Sequence, residues 1–548
     1  NADAGTLYLI TEQNTLSFEI LRNETLDIAL GGTTGKPAEL PDVQIYDEDG
    51  NPNLNNVAAA AAITGNLINI EDAYASDEYD FSGTKKFDES TGYKSTSFLT
   101  VPLKNHEGDV IGVLQLLNAV EPGTDTVIPF KQDIQQLIEA LASQAAISLN
   151  NQMLLEAQKE LLNAFIELIA GAIDAKSAYT GGHCQRVPEL TNMLAKAACK
   201  SDDPRFKDFD LTEEQWYELH IAGWLHDCGK VTTPEYVVDK ATKLETIYDR
   251  IHEVRMRFEV LKRDAEIEML KTIIAGGDEA SLRVQHSERL AKLDEDFAFI
   301  ADCNVGGEFM APEKFDRVKE IAEETWMMTL SDRLGISYDE AKRKEREPEP
   351  EWPIEVKLLD DRYDHIVYRE ERDMMPPNNK WGFNMKVPEY KFNLGEVHNL
   401  GIGRGTLTEE DRYKINDHIV QTIIMLEALP FPKHLKRVPE YAGGHHEKMD
   451  GGGYPRGLNK DDMSLPARMM AIADIFEALT AADRPYKAPK KLSDSIKIMS
   501  FMKKDAHIDE DLFELFLTSG VYKEYAEQYL LPDQLDEVDI GEYLDTVE

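Results

Sequence analysis

Over residues 5–21 apolar and polar positions alternate, through Leu7 and Leu9 and, after a polar break at 12–15, through Leu16, Phe18 and Ile20. Alternation at period two puts every second side chain on one face, so this stretch predicts a hairpin of half-buried strands. A second hairpin is predicted over 97–103 and 110–117, joined by the polar turn Asn105-His106-Glu107-Gly108-Asp109. The period then changes. From 130 to 176 no Gly or Pro occurs before Gly171, and Ile134, Leu137, Ile138, Leu141, Leu154, Leu161, Phe165 and Leu168 recur near helical spacing. This predicts one long connecting helix over 130–176, bent near Asn150-Asn151.

Further helices follow, and several carry polar groups where burial is expected. His183 opens a helix with Val187, Leu190 and Leu194 on one side. Thr212 and Gln215 have the spacing of a capping box, and their helix runs through Trp216, Leu219 and Leu225 into His226-Asp227-Cys228-Gly229-Lys230. Another starts at Thr408, and its Ile415, Ile419, Ile423 and Leu426 place His418 beside the buried stripe. Residues 467–482 are apolar almost all round, with Met469, Met470, Ile472, Ile475, Phe476 and Leu479, yet carry Asp474 in the middle. A buried, unpaired charge costs several kcal/mol, so ligation of a cation is the economical reading of His226-Asp227 and Asp474. His220 lacks such surroundings and reads as structural.

The densest chemistry is the run His445-His446-Glu447-Lys448-Met449-Asp450-Gly451-Gly452-Gly453-Tyr454-Pro455-Arg456-Gly457-Leu458. Adjacent imidazoles between Gly443-Gly444 and an Asp-Gly-Gly-Gly turn can aim two ring nitrogens at one ion, because glycine tolerates the positive φ of a sharp loop.

Charge narrows the partners. A formal net charge of −43 argues against a nucleic-acid backbone and an anionic membrane surface. Residues 1–150 carry 7 Lys and Arg against 23 Asp and Glu, a net of −16 that reads as a solvated acidic shell. Cys184, Cys199, Cys228 and Cys303 are widely spaced without a CxxC pair, which fits a reducing cytosol and argues against thiolate ligation. No apolar run approaches the roughly 18 residues of a membrane span, so a cytoplasmic protein without membrane insertion is expected. The chain begins without Met and almost inside a strand, as expected of a trimmed upstream segment.

Residues 1–150, with strands, an irregular acidic middle, a hairpin and a closing helix, resemble a GAF domain, a small-molecule sensing module. The resemblance implies an unidentified small ligand. Cyclic-nucleotide-binding members carry a dispersed Asn-Lys, Phe, Asp-Glu signature; here Ala119 follows Asn118, and Phe130 and Asp133 match poorly, which argues against that ligand class.

His183, His226-Asp227-x-Gly229-Lys230, His418, the 445–458 run and Asp474 follow, in order, the pattern of HD-GYP phosphodiesterases. These resemble the wider HD phosphohydrolases and typically cleave cyclic di-GMP. The motif Arg484-Pro485-Tyr486-Lys487 agrees too. The resemblance implies a multidomain chain: an N-terminal α+β GAF-like domain at 1–150, a connecting helix at 130–176, and a C-terminal all-α HD-type metal-dependent domain at 155–548. It implies one metal held by His183, His226, Asp227 and Asp474 and a second by His418, His445 and His446, with Asp227 bridging. Nitrogen and carboxylate donors suit iron or manganese, with zinc or nickel as alternatives. Two such ions about 4 Å apart would activate water for in-line attack at phosphorus, giving pGpG, GMP or both. Asp227 and Lys230 take the catalytic roles in this reading, with Lys230 also a phosphoryl contact. Arg484 and Lys487 would contact phosphate or guanine, Tyr454 would shape the pocket, and Glu447 and Asp450 would support the histidines. Members with a third metal carry Glu four residues before the first His; Tyr179 stands there, which predicts a binuclear site. A sensor joined to an effector by a helix implies a homodimer along that helix. Two rival readings are a catalytically silent cyclic di-GMP receptor and a hydrolase of another cyclic dinucleotide such as cyclic GMP-AMP.

One feature departs from the family. Its third histidine follows soon after His-Asp, whereas His418 lies 191 residues beyond Asp227. Lys240-Ala241-Thr242-Lys243-Leu244 and Arg404-Gly405-Thr406-Leu407-Thr408 read as one turn opened by a largely helical insertion at about 240–402. Helix is expected there over 243–274, 281–293 and 312–332, then a proline-rich stretch at 347–353 and irregular chain to 400. The insertion reads as a lid or entry gate, or as a dimer brace. His252, 25 residues past Asp227, rivals His418 as the third histidine, and His286, His365 and His398 read as non-ligands. Closing helices are expected over 493–504 and 509–519, followed by an acidic tail.

Overall fold

A computed structural model describes the chain except residues 1, 48, 125, 177–181, 308, 376–377, 483–488 and 545–548. Its contacts divide it into two units, 1–162 and 163–548. No helix among the described residues is long and apolar enough to cross a membrane.

The first unit is built on β1 (Ala2–Ile10), β2 (Thr15–Asn23), β3 (Ile28–Gly31), β4 (Val43–Gln44), β5 (Ile68–Ile70), β6 (Phe98–Lys104), β7 (Val110–Val120) and β8 (Val127–Ile128). The antiparallel sheet runs β3-β2-β1-β7-β6-β5, with β4 on β2 and β8 on β7. Both expected hairpins are present, and they meet at the β1–β7 pairing, where Leu7 lies opposite Leu114. Helix α1 (Val57–Thr64) carries an unbroken alanine run from Ala58 to Ala62, which lets Ala58, Ala61 and Ala62 pack directly on Tyr8, Leu16 and Val113. Asn56 caps it by accepting from the Ala58 and Ala59 amides. Helix α2 (Ser82–Thr91) lies in the acidic middle.

Helix α3 (Gln132–Lys176) is continuous over 45 residues and spans the division between the units. Ala142 and Ala146 pack on Leu99, Val101 and Leu103 of the sheet, while Ile166, Ala170 and Ile173 join the core of the second unit.

The second unit continues with α4 (His183–Cys199), α5 (Glu213–Leu225) and the single turn α6 (Glu235–Val238). The segment expected as an insertion contains α7 (Ile251–Ile274), α8 (Glu279–Val305), α9 (Pro312–Ala322), α10 (Tyr338–Lys344) and α11 (Glu396–Leu400). It is less helical than its charge pattern predicts. Residues 243–250 form turns, because Glu245 and Asp249 bond backbone and side-chain groups of the Ala241-Thr242 turn. The 312–332 stretch ends its helix at Ala322 and enters β9 (Thr325–Met328), which pairs with β10 (Ile354–Lys357). β11 (Ile366–Tyr368) pairs with β12 (Tyr390–Asn393), so the stretch read as irregular carries this small sheet and β10, while β9 falls in the stretch read as helix. These short alternations are too brief to stand out from loop in sequence.

The remainder is helical: α12 (Glu409–Ala428), α13 (Val438–Gly443), α14 (Leu465–Thr480), α15 (Leu492–Lys504), α16 (Glu510–Thr518) and α17 (Val521–Tyr529). The C-terminal region is not a loose tail over its described length. α17 buries Tyr525 and Ala526 in the main core, and Gln534 bonds the carbonyls of Thr480 and Lys490.

Candidate metal centre

Each polar residue singled out on an apolar helix is delivered to one place. His183 begins α4, His226 and Asp227 follow the end of α5, Asp474 lies mid-way along α14, His418 lies mid-way along α12, and His445-His446 follow α13. The capping boxes at Thr212–Gln215 and Thr408–Asp411 fix where α5 and α12 start, and so the phase of His226 and His418. Close approach of α12 to the His-Asp turn requires Gly229, since a Cβ there would lie 1.9 Å from the His418 carbonyl oxygen. Its amide donates to Thr422 Oγ1 at 2.9 Å, pinning the turn to the helix.

Two groups of donor atoms result, each within 4.8 Å of one another: His183, His226, Asp227 and Asp474, and Asp227, His418, His445 and His446. Asp227 Oδ2 faces the first group, 3.1 Å from His183 Nε2 and 3.2 Å from His226 Nε2. Its Oδ1 faces the second, 3.2 Å from His418 Nε2. His183 Nε2 also lies 3.3 Å from Asp474 Oδ1.

The donor set fits divalent ions on a further ground. His226, His418 and His445 each turn Nδ1 to a backbone carbonyl, of Gly223, Ile415 and Ala442 at 2.6–2.7 Å. A carbonyl only accepts, so Nδ1 carries the proton and Nε2 presents its lone pair inward. Lone pairs facing one another beside carboxylates call for a cation. Consistent with this, Asp227 Oδ1 and His445 Nε2 are buried without a hydrogen-bond partner among the described residues; the 3.2 Å approach of His418 to Oδ1 lacks hydrogen-bond geometry.

The electrostatics agree. Burial works against ionisation of Asp227, but Lys230 and His226 outweigh it and hold the carboxyl well below the usual range. Asp474 is likewise lowered, against burial, by His183 and the neighbouring imidazoles. Burial and His226 push His445 down to about 4, and burial and its histidine neighbours put His446 well below its usual value. Both rings are therefore neutral near pH 7, as ligands must be. His183 is raised, against burial, by Glu477, Asp227 and Asp474. Lys230 Nζ lies 2.5 Å from Asp227 Oδ2, and Tyr454 stacks on His446 at 4.9 Å and 21°.

The residue that sequence reasoning missed is Glu477. Its Oε2 meets His183 Nδ1 at 2.5 Å and its Oε1 accepts from Arg186 Nε at 2.8 Å. Burial opposes its ionisation, but His183 and Arg186 hold its carboxyl down to about 2. It lies three positions after Asp474 on the same apolar helix, so the argument that singled out Asp474 also applied to it.

Among the described residues, Glu447 and Asp450, expected to support the histidines, bond the backbone of the loop that follows them. Glu447 accepts from the Arg456 and Leu458 amides at 2.7 and 2.9 Å, and Asp450 from the Gly452 amide at 2.8 Å. Both tie the glycine loop to itself, because their carboxylates point at its free N–H groups. Gly443 and Gly444 also act differently from expectation. Gly444 has a φ of −97°, and the two residues provide space, since Cβ atoms there would lie 2.7 Å from Ile423 and 2.9 Å from Ala467. Positive φ is confined within the run to Gly451 and Gly457.

His252 is exposed on α7, outside both donor groups, with Arg255 at its Nδ1. His286, His365, His398 and His220 are also outside them. Tyr179, Arg484 and Lys487 lie outside the described residues. Beside the loop is a cavity of about 390 Å³ bounded by Asn384, Lys386, Arg412, Tyr413, Gly453 and Tyr454, among others.

The HD domain family model matches residues 353–512, and the GAF domain family model residues 1–149. The first span contains His418, His445, His446 and Asp474; His183 and His226-Asp227 precede it. Among curated proteins, the chain is 33% identical over 148 residues to "3'3'-cGAMP-specific phosphodiesterase 1" of Vibrio cholerae serotype O1, covering 25% of this chain and 33% of that protein. It is 44% identical over 129 residues to a "Probable cyclic di-GMP phosphodiesterase" of the same organism, covering 23% and 29%. It is 36% identical over 93 residues to "Cyclic di-GMP phosphodiesterase" of Thermotoga maritima, covering 17% and 25%. The matches thus span a third or less of those relatives.

Proposed function

From a chain that carries a GAF domain at 1–149 and an HD domain over 353–512, we propose a metal-dependent phosphodiesterase of the HD-GYP type that hydrolyses cyclic di-GMP under control of the GAF domain. The observation that carries this is the pair of converging donor groups sharing Asp227. Bound iron or manganese, or alternatively zinc or nickel, would supply Lewis acidity and activate water for attack at phosphorus. The chain's own residues do the rest. Asp227 orients both groups through its two oxygens, and the inward Nε2 lone pairs of His226, His418 and His445 are fixed by backbone acceptors. Lys230, already against Asp227, is placed to meet a phosphoryl oxygen that approaches the pair. Tyr454 walls the cavity whose Lys386 and Arg412 supply positive charge for the remaining phosphate; Arg484 and Lys487, outside the described residues, keep the phosphate- or guanine-contact roles that the family resemblance implies.

On α3, Ile147, Leu154, Leu161 and Leu168 recur every seven residues and are all exposed. This supports a homodimer seam through which the GAF domain acts. Light scattering that found only monomer would remove the seam.

A second reading is favoured by the 33% identity to a protein named for 3'3'-cGAMP: the substrate is the mixed cyclic dinucleotide. One assay decides between them. Purified full chain loaded with iron or manganese is incubated with cyclic di-GMP and with 3'3'-cGAMP, and linear and mononucleotide products are followed by chromatography. Faster turnover of cyclic di-GMP is expected. Hydrolysis of neither, with two ions bound, would overturn the enzymatic reading.

A further inference from the structure

Residues 379–385, far along the 240–402 segment, grip the second donor group from outside. The grip begins with a self-closed turn: Asn379 Nδ2 donates to the Phe383 carbonyl at 2.6 Å, and the Phe383 amide donates to Asn379 Oδ1 at 3.0 Å. Trp381 and Phe383 stack across this turn at 5.7 Å and 9°. Phe383 is then buried against Ile419, Val420 and Ile423 of α12, the residues that follow His418, with Tyr454 at the rim of the same cluster.

The same turn holds the glycine loop. The Asn384 amide donates to the Pro455 carbonyl at 2.8 Å, and Arg456 Nε donates to the Trp381 carbonyl at 2.8 Å. Gly457 has a φ of +70°, where a side chain is strained, and a Cβ there would lie 2.6 Å from Asn384 Nδ2, so glycine keeps the loop close to the turn. The loop in turn carries Tyr454, whose ring covers His446. Phe383 therefore reaches the helix of His418, and Trp381 and Asn384 reach the loop that follows His445 and His446. By contrast, no hydrogen bond or ion pair joins 379–385 to α4, α5 or α14 among the described residues.

We propose that residues 379–385 are a positioning clasp for the His418–His445–His446 group, so that the inserted segment sets the affinity of one metal ion and not of the other. This rests on the two-ion reading above. Insertion and metal load are then coupled: whatever displaces the segment lowers occupancy of one position while the α4–α5–α14 group keeps its ion.

The test is metal content and Mn(II) uptake of the full chain, measured by elemental analysis and calorimetry. Phe383→Ala is expected to keep one tightly held ion and weaken the other by about 10-fold or more. Phe383→Leu, which refills most of the space, should restore it. Asp474→Asn disables the opposite group and should also retain one ion, and the double variant Asp474→Asn/Phe383→Ala should hold that ion about 10-fold or more weaker than Asp474→Asn alone. If the double variant holds its ion as tightly as Asp474→Asn alone, or Phe383→Ala weakens both ions equally, the clasp is overturned. Should Phe383→Ala fail to fold, Arg456→Met removes the loop's hydrogen bond to the Trp381 carbonyl, the clasp's other attachment, and is read the same way. Wild-type protein with two ions and no hydrolysis of either cyclic dinucleotide overturns the enzymatic reading alone. Uptake of fewer than two ions overturns both.

Discussion

The two donor groups meet at Asp227 but are supported by different kinds of structure. The first lies among α4, α5 and α14, whose apolar faces form the main core, and its His183 is backed by a buried carboxylate, Glu477, itself held by Arg186. The second takes two of its three histidines from the start of a glycine loop, backs its rings with carbonyls where acceptors are described, and leans on residues 379–385. A carboxylate behind an imidazole raises its basicity as a ligand, whereas a carbonyl mainly fixes its tautomer and direction. Both groups draw on the main core, to which α12 and α13 contribute Leu426, Tyr441 and Ala442, and His226 of the first is also backed by a carbonyl; the first adds a carboxylate behind His183, and the second adds contacts from the glycine loop and residues 379–385.

The largest expected effect erases the distinction. Asp227→Asn removes charge from both groups at once, so metal content should fall from two ions towards none, with hydrolysis reduced by about 1,000-fold or more. Retention of a tightly held ion in either group would show that Asp227 is not the shared ligand. Glu477→Gln keeps the shape beside His183 but removes the charge behind it. It should weaken one ion by about 10- to 100-fold and leave the other within a factor of about two. Equal weakening of both would mean the supports are not separable.

A smaller effect probes the inserted segment by itself. Burial, with Arg362 beside it, lowers His365 from 6.5 to about 4. The unfolded chain takes up a proton below about 6.5 that the folded chain refuses until about 4. The contribution is therefore fully present above 6.5 and is lost as pH falls towards 4, amounting to about 2 kcal/mol at pH 5. Urea unfolding of wild type and His365→Gln at pH 7 and pH 5 checks this: the variant should lose less stability on acidification, and identical losses would rule His365 out. The smallest expected effect is none. His252→Ala should leave metal content unchanged, since His252 is exposed and outside both groups; loss of an ion would reopen its rivalry with His418.

Much of the site was legible because its residues violate their local pattern. Asp474 on an apolar helix and His226-Asp227 at the end of another are costly unless paired, and that cost is visible in one dimension. The hairpins and α3 were legible from the period of apolar residues, although on α3 the stripe that revealed the helix, including Leu137, Leu154 and Leu168, is exposed, and Ala142, Ala146, Ile166, Ala170 and Ile173 are the buried residues. Glu477 was overlooked although it obeyed the same logic as Asp474. The sheets β9–β10 and β11–β12 were not legible, because strands of three or four residues are too short to establish a period.

What the sequence by itself determined is the inventory: which side chains want a cation, which helices carry them, and that His418 is separated from Asp227 by 191 residues. Only the tertiary structure decided the partition and the supports. It turned the two oxygens of Asp227 to different groups, reassigned Glu447 and Asp450 to the loop backbone, and brought residues 379–385 onto that loop. Those outcomes depend on which residues become neighbours across long stretches of chain, and composition and local spacing carry no record of that distance.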